Sequence, residues 1–339
     1  MKKGFVGGAL VLIAIVAVLL IRTGPSAAPD FPVNNSLSSA AEVIINIPNG
    51  SSGSAIAAML FENKVVKSSE AFFRVAVGDK RSEKIAPGNH RLSLEISAQQ
   101  ALDQLLDPNR IPNLIRVNEG SWKSEIVTSL VKYGFTMNEI TKAFRVVKLP
   151  QGFKEVEGLL FPAQYSFAKN TSATDAVQAM VDRFSQEPAA QDLLVGTKRF
   201  TPSQLLTIAS IIQAEGGAKD FSKVSTVIQN RLAIGMPLQM DSTVHYIMKL
   251  RGEIFLSSKS TLINSPYNTY RKYGLPPGPI GNPGKQALLA AVNPEPGDWI
   301  YFITVAPNDT RFTSSFEEFG VWKVEYKKNL RAGLFESKE

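Results

Sequence analysis

Thr201-Pro202-Ser203-Gln204 carries three helix-start signals: a Thr cap, Pro at the first helical position and Gln at the capping-box position. Leu205, Ile208, Ile212 and Glu215 follow at spacings of three, four and three, so Glu215 continues the apolar stripe of that helix. Gly216-Gly217 then stops it. A carboxyl in this place is partly desolvated and sits at the negative end of the helix dipole, and both effects disfavour ionisation. A side chain that must donate a proton near neutral pH needs that setting. The plainer reading is a polar residue fraying into solvent at a helix end, and position alone leaves both open.

Asp241 is the nearby acid that could complete a two-carboxylate glycosidase site with Glu215. Its place before Ser242-Thr243-Val244-His245-Tyr246 reads more simply as a helix N-cap. His245 within that helix reads as a packed or surface histidine, and His90, beside Pro87-Gly88, as a surface residue. The run from Tyr267 to Gly284 is the most unusual in the chain: four prolines fix its backbone, and four glycines permit close approach. Its three tyrosines and two asparagines offer the stacking and hydrogen bonding that hold sugar rings, with a rigid structural loop as the alternative. Asn230, Gln239, Asp241, Tyr267, Asn268 and Tyr270 are the candidates for binding substrate, or else scaffold for that loop.

Several chemistries are excluded. The chain has no cysteine and only two histidines, which removes disulfides, thiolate zinc sites and cysteine nucleophiles and leaves little for a metal cluster or a Ser-His-Asp triad. No GxxxxGK[ST], GxGxxG or HExxH pattern occurs. Neither a cofactor nor a metal is expected.

The elements that must position these groups begin with an anchor. Gly4 to Ile21 is an uncharged run of 18 residues, as a helix roughly 27 Å long and so just long enough for a bilayer core. Lys2 and Lys3 precede it, Arg22 follows, and Gly24-Pro25 ends it. A retained anchor over residues 4–22 is the reading; a cleaved signal peptide is the alternative, with a shorter apolar region as its norm. The two lysines favour residues 1–3 in the cytoplasm, a bias that Arg22 weakens, and residues from about 30 onward are then expected outside the membrane. Setting aside Lys2, Lys3 and Arg22 lowers the net charge from +7 to +4, a modest excess that suits anionic lipid or wall polymer and not nucleic acid.

Residues 23–41 are rich in Pro, Ser and Asn and read as a linker. Residues 42–106 follow a β-α-α-β order: a strand over Val43–Ile47, helices from Ser51 and Ser68, and a strand reaching Leu92. The order recurs as a weak internal duplication in residues 107–200. There Val117-Asn118-Glu119-Gly120-Ser121 echoes Ile47-Pro48-Asn49-Gly50-Ser51, and helices led by Ser97 and Ser172 follow each copy. Residues 201–339, with two helices, a Pro/Gly-rich loop and a strand over Trp299–Val305, form an α+β unit.

The ordered run Ala209-Ser210-Ile211-Ile212-Gln213-Ala214-Glu215, Asn230-Arg231-Leu232, Leu238-Gln239-x-Asp241-x-Thr243-Val244, Tyr267-Asn268-Thr269-Tyr270 and Gly274-Leu275-Pro276-Pro277-Gly278-Pro279-Ile280 resembles the endolytic murein transglycosylases, the YceG-like or MltG family. Val156-Glu157-Gly158-Leu159-Leu160-Phe161-Pro162 and the Glu119-Gly120 turn are further landmarks, and the resemblance covers most of residues 43–330. It implies a LysM-like module over 42–106 and a catalytic domain over 201–339. It also implies a lytic cut between N-acetylmuramic acid and N-acetylglucosamine that leaves 1,6-anhydro ends, with Glu215 as the essential residue. The chain departs from the family pattern in two places. Gln213 stands where many relatives carry an acid, and Phe319 stands where they often carry a histidine. The expected partners are peptidoglycan glycan strands, the cytoplasmic membrane and peptidoglycan synthases, with no nucleic acid. A hydrolytic muramidase using Glu215 and Asp241, and a non-catalytic wall-binding scaffold, are the alternatives.

Overall fold

The computed structural model describes residues 28–35, 41–48, 50–112, 114–167, 170–251, 257 and 259–335. The anchor expected over 4–22 lies outside them. No helix among the described residues is long and apolar enough to cross a membrane. The described residues form two compact units, one within Met1–Pro112 and Ser166–Lys169, the other within Asn113–Tyr165 and Asn170–Glu339.

The first unit has the order expected from the sequence. Strand β1 (Glu42–Ile47), helices α1 (Gly53–Glu62) and α2 (Ser69–Gly78), strand β2 (Gly88–Ser93) and helix α3 (Ala98–Leu106) follow one another. Ser52, Ser68 and Ser97 cap the three helices through their side-chain oxygens, the last in a full capping box. β1 and β2 pair antiparallel, with Ile45 opposite His90, and the helices close over them on Leu60, Phe72, Leu92 and Leu102. His90 is a correction to the sequence reading. It is fully buried, with Nε2 against the Ala86 carbonyl, because strand alternation turns it to the core face. Burial holds its pKa below the usual histidine value.

The second unit opens with the same order: β3 (Ile115–Val117), α4 (Lys123–Tyr133), α5 (Met137–Val146) and β4 (Ala163–Tyr165), again an antiparallel strand pair. There follow α6 (Ala173–Gln186), α7 (Pro188–Val195), α8 (Pro202–Glu215), α9 (Phe221–Ala233), α10 (Asp241–Met248) and α11 (Lys285–Val292). The hairpin β5 (Tyr301–Ala306) and β6 (Asp309–Thr313) and the helix α12 (Phe316–Arg331) end it. The fold is mixed α and β, with short antiparallel pairs set among helices. α8 is its central helix. Eight consecutive residues, Leu205 to Ile212, are buried where α7, α9, α10 and α11 pack on it. Burial therefore extends all round the middle two turns of the helix, with Thr207 and Ser210 included, beyond the single stripe that the spacing predicts.

The Glu157-Gly158 turn lies against α8 at very close range. Gly158 has φ +88°, and a Cβ there would stand 2.8 Å from Pro279 Cγ and 2.9 Å from Leu206 Cδ2. Only glycine satisfies both the backbone and the packing. This contact brings the segment around Glu157 and the Pro-rich loop onto the helix that ends at Glu215.

Candidate active site

Glu215 is the last residue of α8, and the helix stops there because Gly216 takes an extended conformation. The carboxyl does not fray. Its Oε1 accepts a hydrogen bond of 3.0 Å from the backbone N–H of Ser242, in the first turn of α10. Two helix ends thus meet at one carboxyl: the C-terminus of α8 carries it and the N-terminus of α10 holds it. Burial pushes its pKa up and is the largest effect, with the Asp241 charge adding in the same direction. The Ser242 bond and the Arg231 guanidinium pull the other way. The net direction is upward, which keeps a proton available at higher pH than an ordinary carboxylate could.

Arg231 is buried. Its Nε donates to the Ile300 carbonyl at 2.6 Å, Nη1 donates to the Leu238 carbonyl, and the guanidinium lies 5.7 Å from the Tyr301 ring centre. Phe319 stacks on the other partner of that arrangement, 5.0 Å from Tyr301. Phe319 is thus an aromatic neighbour of the ring beside Arg231. Gln213 accepts from the Gly284 N–H at 2.9 Å and so ties α8 to the end of the Pro-rich loop.

Asp241 departs from the N-cap expected of it. Met240 is the N-cap residue, Asp241 is the first residue of α10, and no side chain caps the helix. The Asp241 carboxylate instead accepts from the Tyr270 hydroxyl. The Thr243 hydroxyl donates back to the Met240 carbonyl at 2.7 Å. Asp241 is therefore near Glu215 electrostatically but already held by a tyrosine.

The other substrate candidates separate into two groups. Asn268 is fully buried; its amide donates to Thr261 and Ile263 carbonyls, and its Oδ1 accepts from Tyr270 N. Asn230 donates to the Gly297 and Trp299 carbonyls. Both side-chain NH2 groups donate to backbone carbonyls. Gln239 is exposed at φ +50° in the turn before α10, its N–H bonded to the Thr269 carbonyl, and its side chain faces solvent. Tyr267 and Tyr270 are half-buried along the loop that flanks α10. His245 is half-buried within α10, as the sequence suggested.

A second buried carboxyl, Glu157, lies in the Val156–Pro162 landmark and is not among the site residues that the sequence points to. Glu157 accepts from Lys123 N at 2.9 Å, Tyr246 Oη at 3.0 Å and Asn282 Nδ2 at 3.1 Å, and so joins the start of α4, the middle of α10 and the Pro-rich loop. Burial raises its pKa to about 7 against the pull of those donors. A carboxyl whose folded pKa stands above its unfolded value stabilises the fold fully below the unfolded value and loses that contribution as pH rises through the folded one. Stability is expected to fall by roughly 3 kcal/mol between pH 4.5 and pH 8 from this group. Glu157→Gln should flatten that slope in urea titrations run across the range; an unchanged slope would contradict the assignment.

A model of the YceG-like family matches residues 45–323. The endolytic murein transglycosylase of Bacillus subtilis is 32% identical over 306 residues, 84% of either chain. The protein of the same name from Streptococcus pneumoniae D39 is 34% identical over 153 residues, 44% of this chain and 28% of that much longer one. The crystal structure of a YceG-like protein from Listeria monocytogenes superposes with a TM-score of 0.57 at 27% identity, covering 83% of this chain and 98% of that one.

Proposed function

Because the chain belongs to the YceG-like family, we propose that it is a lytic transglycosylase that cuts peptidoglycan glycan strands with Glu215 as its acid. The observation that carries this reading is the Glu215 carboxyl itself, fixed by the Ser242 N–H at the junction of two helix ends, with a pKa that burial raises. Protonated Glu215 donates to the oxygen joining N-acetylmuramic acid to N-acetylglucosamine. The C1–O bond breaks through an oxocarbenium-like transition state, and the N-acetylglucosamine 4-hydroxyl leaves. The muramic C6 hydroxyl then closes onto C1, and its proton returns to the Glu215 carboxylate. No water is consumed, so no second carboxylate is needed to position one. Asp241, bound to Tyr270, suits this division: its charge helps hold the proton on Glu215, and it does not activate water.

That arrangement sets a pH dependence. The active form is protonated, so activity is present below the Glu215 pKa and falls as pH rises through it. Asp241→Asn removes one of the upward influences on that pKa. The alkaline limb of the rate profile is therefore expected to move to lower pH, and a shift to higher pH would refute the role given to Asp241.

Gln239 and Tyr270, which flank the start of α10, are the groups that orient the sugar at Glu215. The cut is internal to the strand and ends elongation of nascent chains, in concert with peptidoglycan synthases. Size analysis of digested glycan tests this: mid-length fragments early in the reaction support an internal cut, whereas disaccharides alone contradict it. Residues 4–22 anchor the chain in the cytoplasmic membrane by the length of their apolar run, residues 23–41 link it, and the catalytic unit lies outside. Deleting residues 1–22 should move the protein from the membrane pellet to the soluble fraction; retention in the pellet would overturn the anchor.

A further inference from the structure

A cavity of about 320 Å³ lies on α10 beyond Glu215, lined among others by Trp122, Glu157, Tyr246, Lys249 and Tyr267. We propose that it is a saccharide-binding subsite that holds the glycan strand to the side of the scissile bond. The inference rests on the transglycosylase reading of Glu215 and adds to it a second place where the same strand is gripped.

Three observations support it. The first is placement. Ser242, whose backbone N–H holds Glu215 at the start of α10, and Tyr246, which lines the cavity, stand four residues apart on α10, a rise of about 6 Å. The loop carrying Tyr267 and Tyr270 runs beside the same helix. Tyr270 reaches Asp241 at its start, and Tyr267 lies 5.3 Å from Tyr246 one turn later. A chain seated at Glu215 and running along α10 meets this cavity next.

The second is the chemistry of the walls. Trp122 meets Tyr246 edge-on at 6.0 Å, and Tyr246 meets Tyr267 at a tilt, so the rings form a continuous wall. Flat amphipathic rings with few placed polar groups are the usual lining of a small-molecule site, and sugar rings use both the faces and the hydroxyls. The Arg251 guanidinium covers the Trp122 ring at 3.8 Å and locks that side, while Tyr267 remains half-exposed. The third is the floor. Glu157 is buried behind Tyr246, and its three donors hold the wall in one geometry without a bound ligand. A pre-formed wall costs less ordering when a flexible polymer binds. Lys249 at the rim offers a cation to the acidic substituents that muramic residues carry.

The test uses the full chain carrying Glu215→Gln, so that strands bind without turnover, and uncrosslinked glycan strands with a fluorescent label. Adding Tyr267→Ala is expected to weaken binding about tenfold. Adding Ser124→Trp, at an exposed position that lines the cavity, should do the same by filling the space. Tyr267→Ala removes a wall and Ser124→Trp blocks the opening, so folding damage in one leaves the other decisive. Unchanged affinity in the folded variants overturns the subsite. Anhydro ends formed by the wild type are measured alongside. A chain that binds through the cavity without producing them would sink the Glu215 reading alone. One that produces them while both cavity variants bind fully would sink the subsite alone.

Discussion

Glu215→Gln is expected to reduce strand cleavage about a thousandfold or more, with the fold intact. The amide keeps an oxygen where Oε1 accepts the Ser242 N–H, so the junction between α8 and α10 survives the change. What it loses is the proton that can be given to a leaving group and taken back from the C6 hydroxyl. Replacing a buried ionisable group by a neutral isostere adds no unpaired charge, and the midpoint of thermal unfolding should stay within a few degrees. Cleavage within tenfold of the wild type would mean that Glu215 is not the acid. The same variant decides against a wall-binding scaffold, for which it would retain its full biological effect.

The second large effect is on stability. Asn282→Ala is expected to cost roughly 3 kcal/mol, read from urea unfolding followed in the near ultraviolet. Asn282 is fully buried, its Oδ1 accepts from Leu160 N at 2.8 Å, and its Nδ2 donates to the Ser121 carbonyl and to Glu157. Truncation leaves the buried Leu160 N–H without its partner, which is the costly side of hydrogen-bond energetics, while the Ser121 carbonyl keeps only the Asn282 backbone N–H. It also removes one of the donors that lower the Glu157 pKa, so that carboxyl should titrate higher still in the variant. A loss below about 0.5 kcal/mol would show that these bonds are replaced by solvent and that the Pro-rich loop does not depend on them.

Much of the local structure was written in neighbouring residues. Ser97, Ser172 and Thr201 announce their helices, and each caps as the sequence predicts. Glu215 was legible because apolar spacing and the Gly216 stop are both short-range signals. What escaped was long-range. Ser242 holds Glu215 from 27 residues away, and Asn282 reaches Glu157 across 125, distances at which no periodicity carries information. Glu157 lies beside Val156, Leu159 and Leu160, a run otherwise fit for burial, and that company was its one local signal. His90 was misread for the opposite reason. Pro87-Gly88 suggested a surface turn, but β2 begins at Gly88 and alternation buries the third residue. At Asp241 the local cap signal was sound chemistry that lost to a nonlocal partner, the Tyr270 hydroxyl.

The central claim is that Glu215 cuts by passing one proton out and taking one back, without water. Digestion of purified glycan strands in heavy-oxygen water, followed by mass spectrometry of the new muramic ends, tests it most directly. The expected ends are 1,6-anhydro, lighter by one water than a reducing end and free of the heavy isotope, and they are absent with Glu215→Gln. Reducing muramic ends that carry heavy oxygen at C1 would contradict it and make the enzyme a hydrolase.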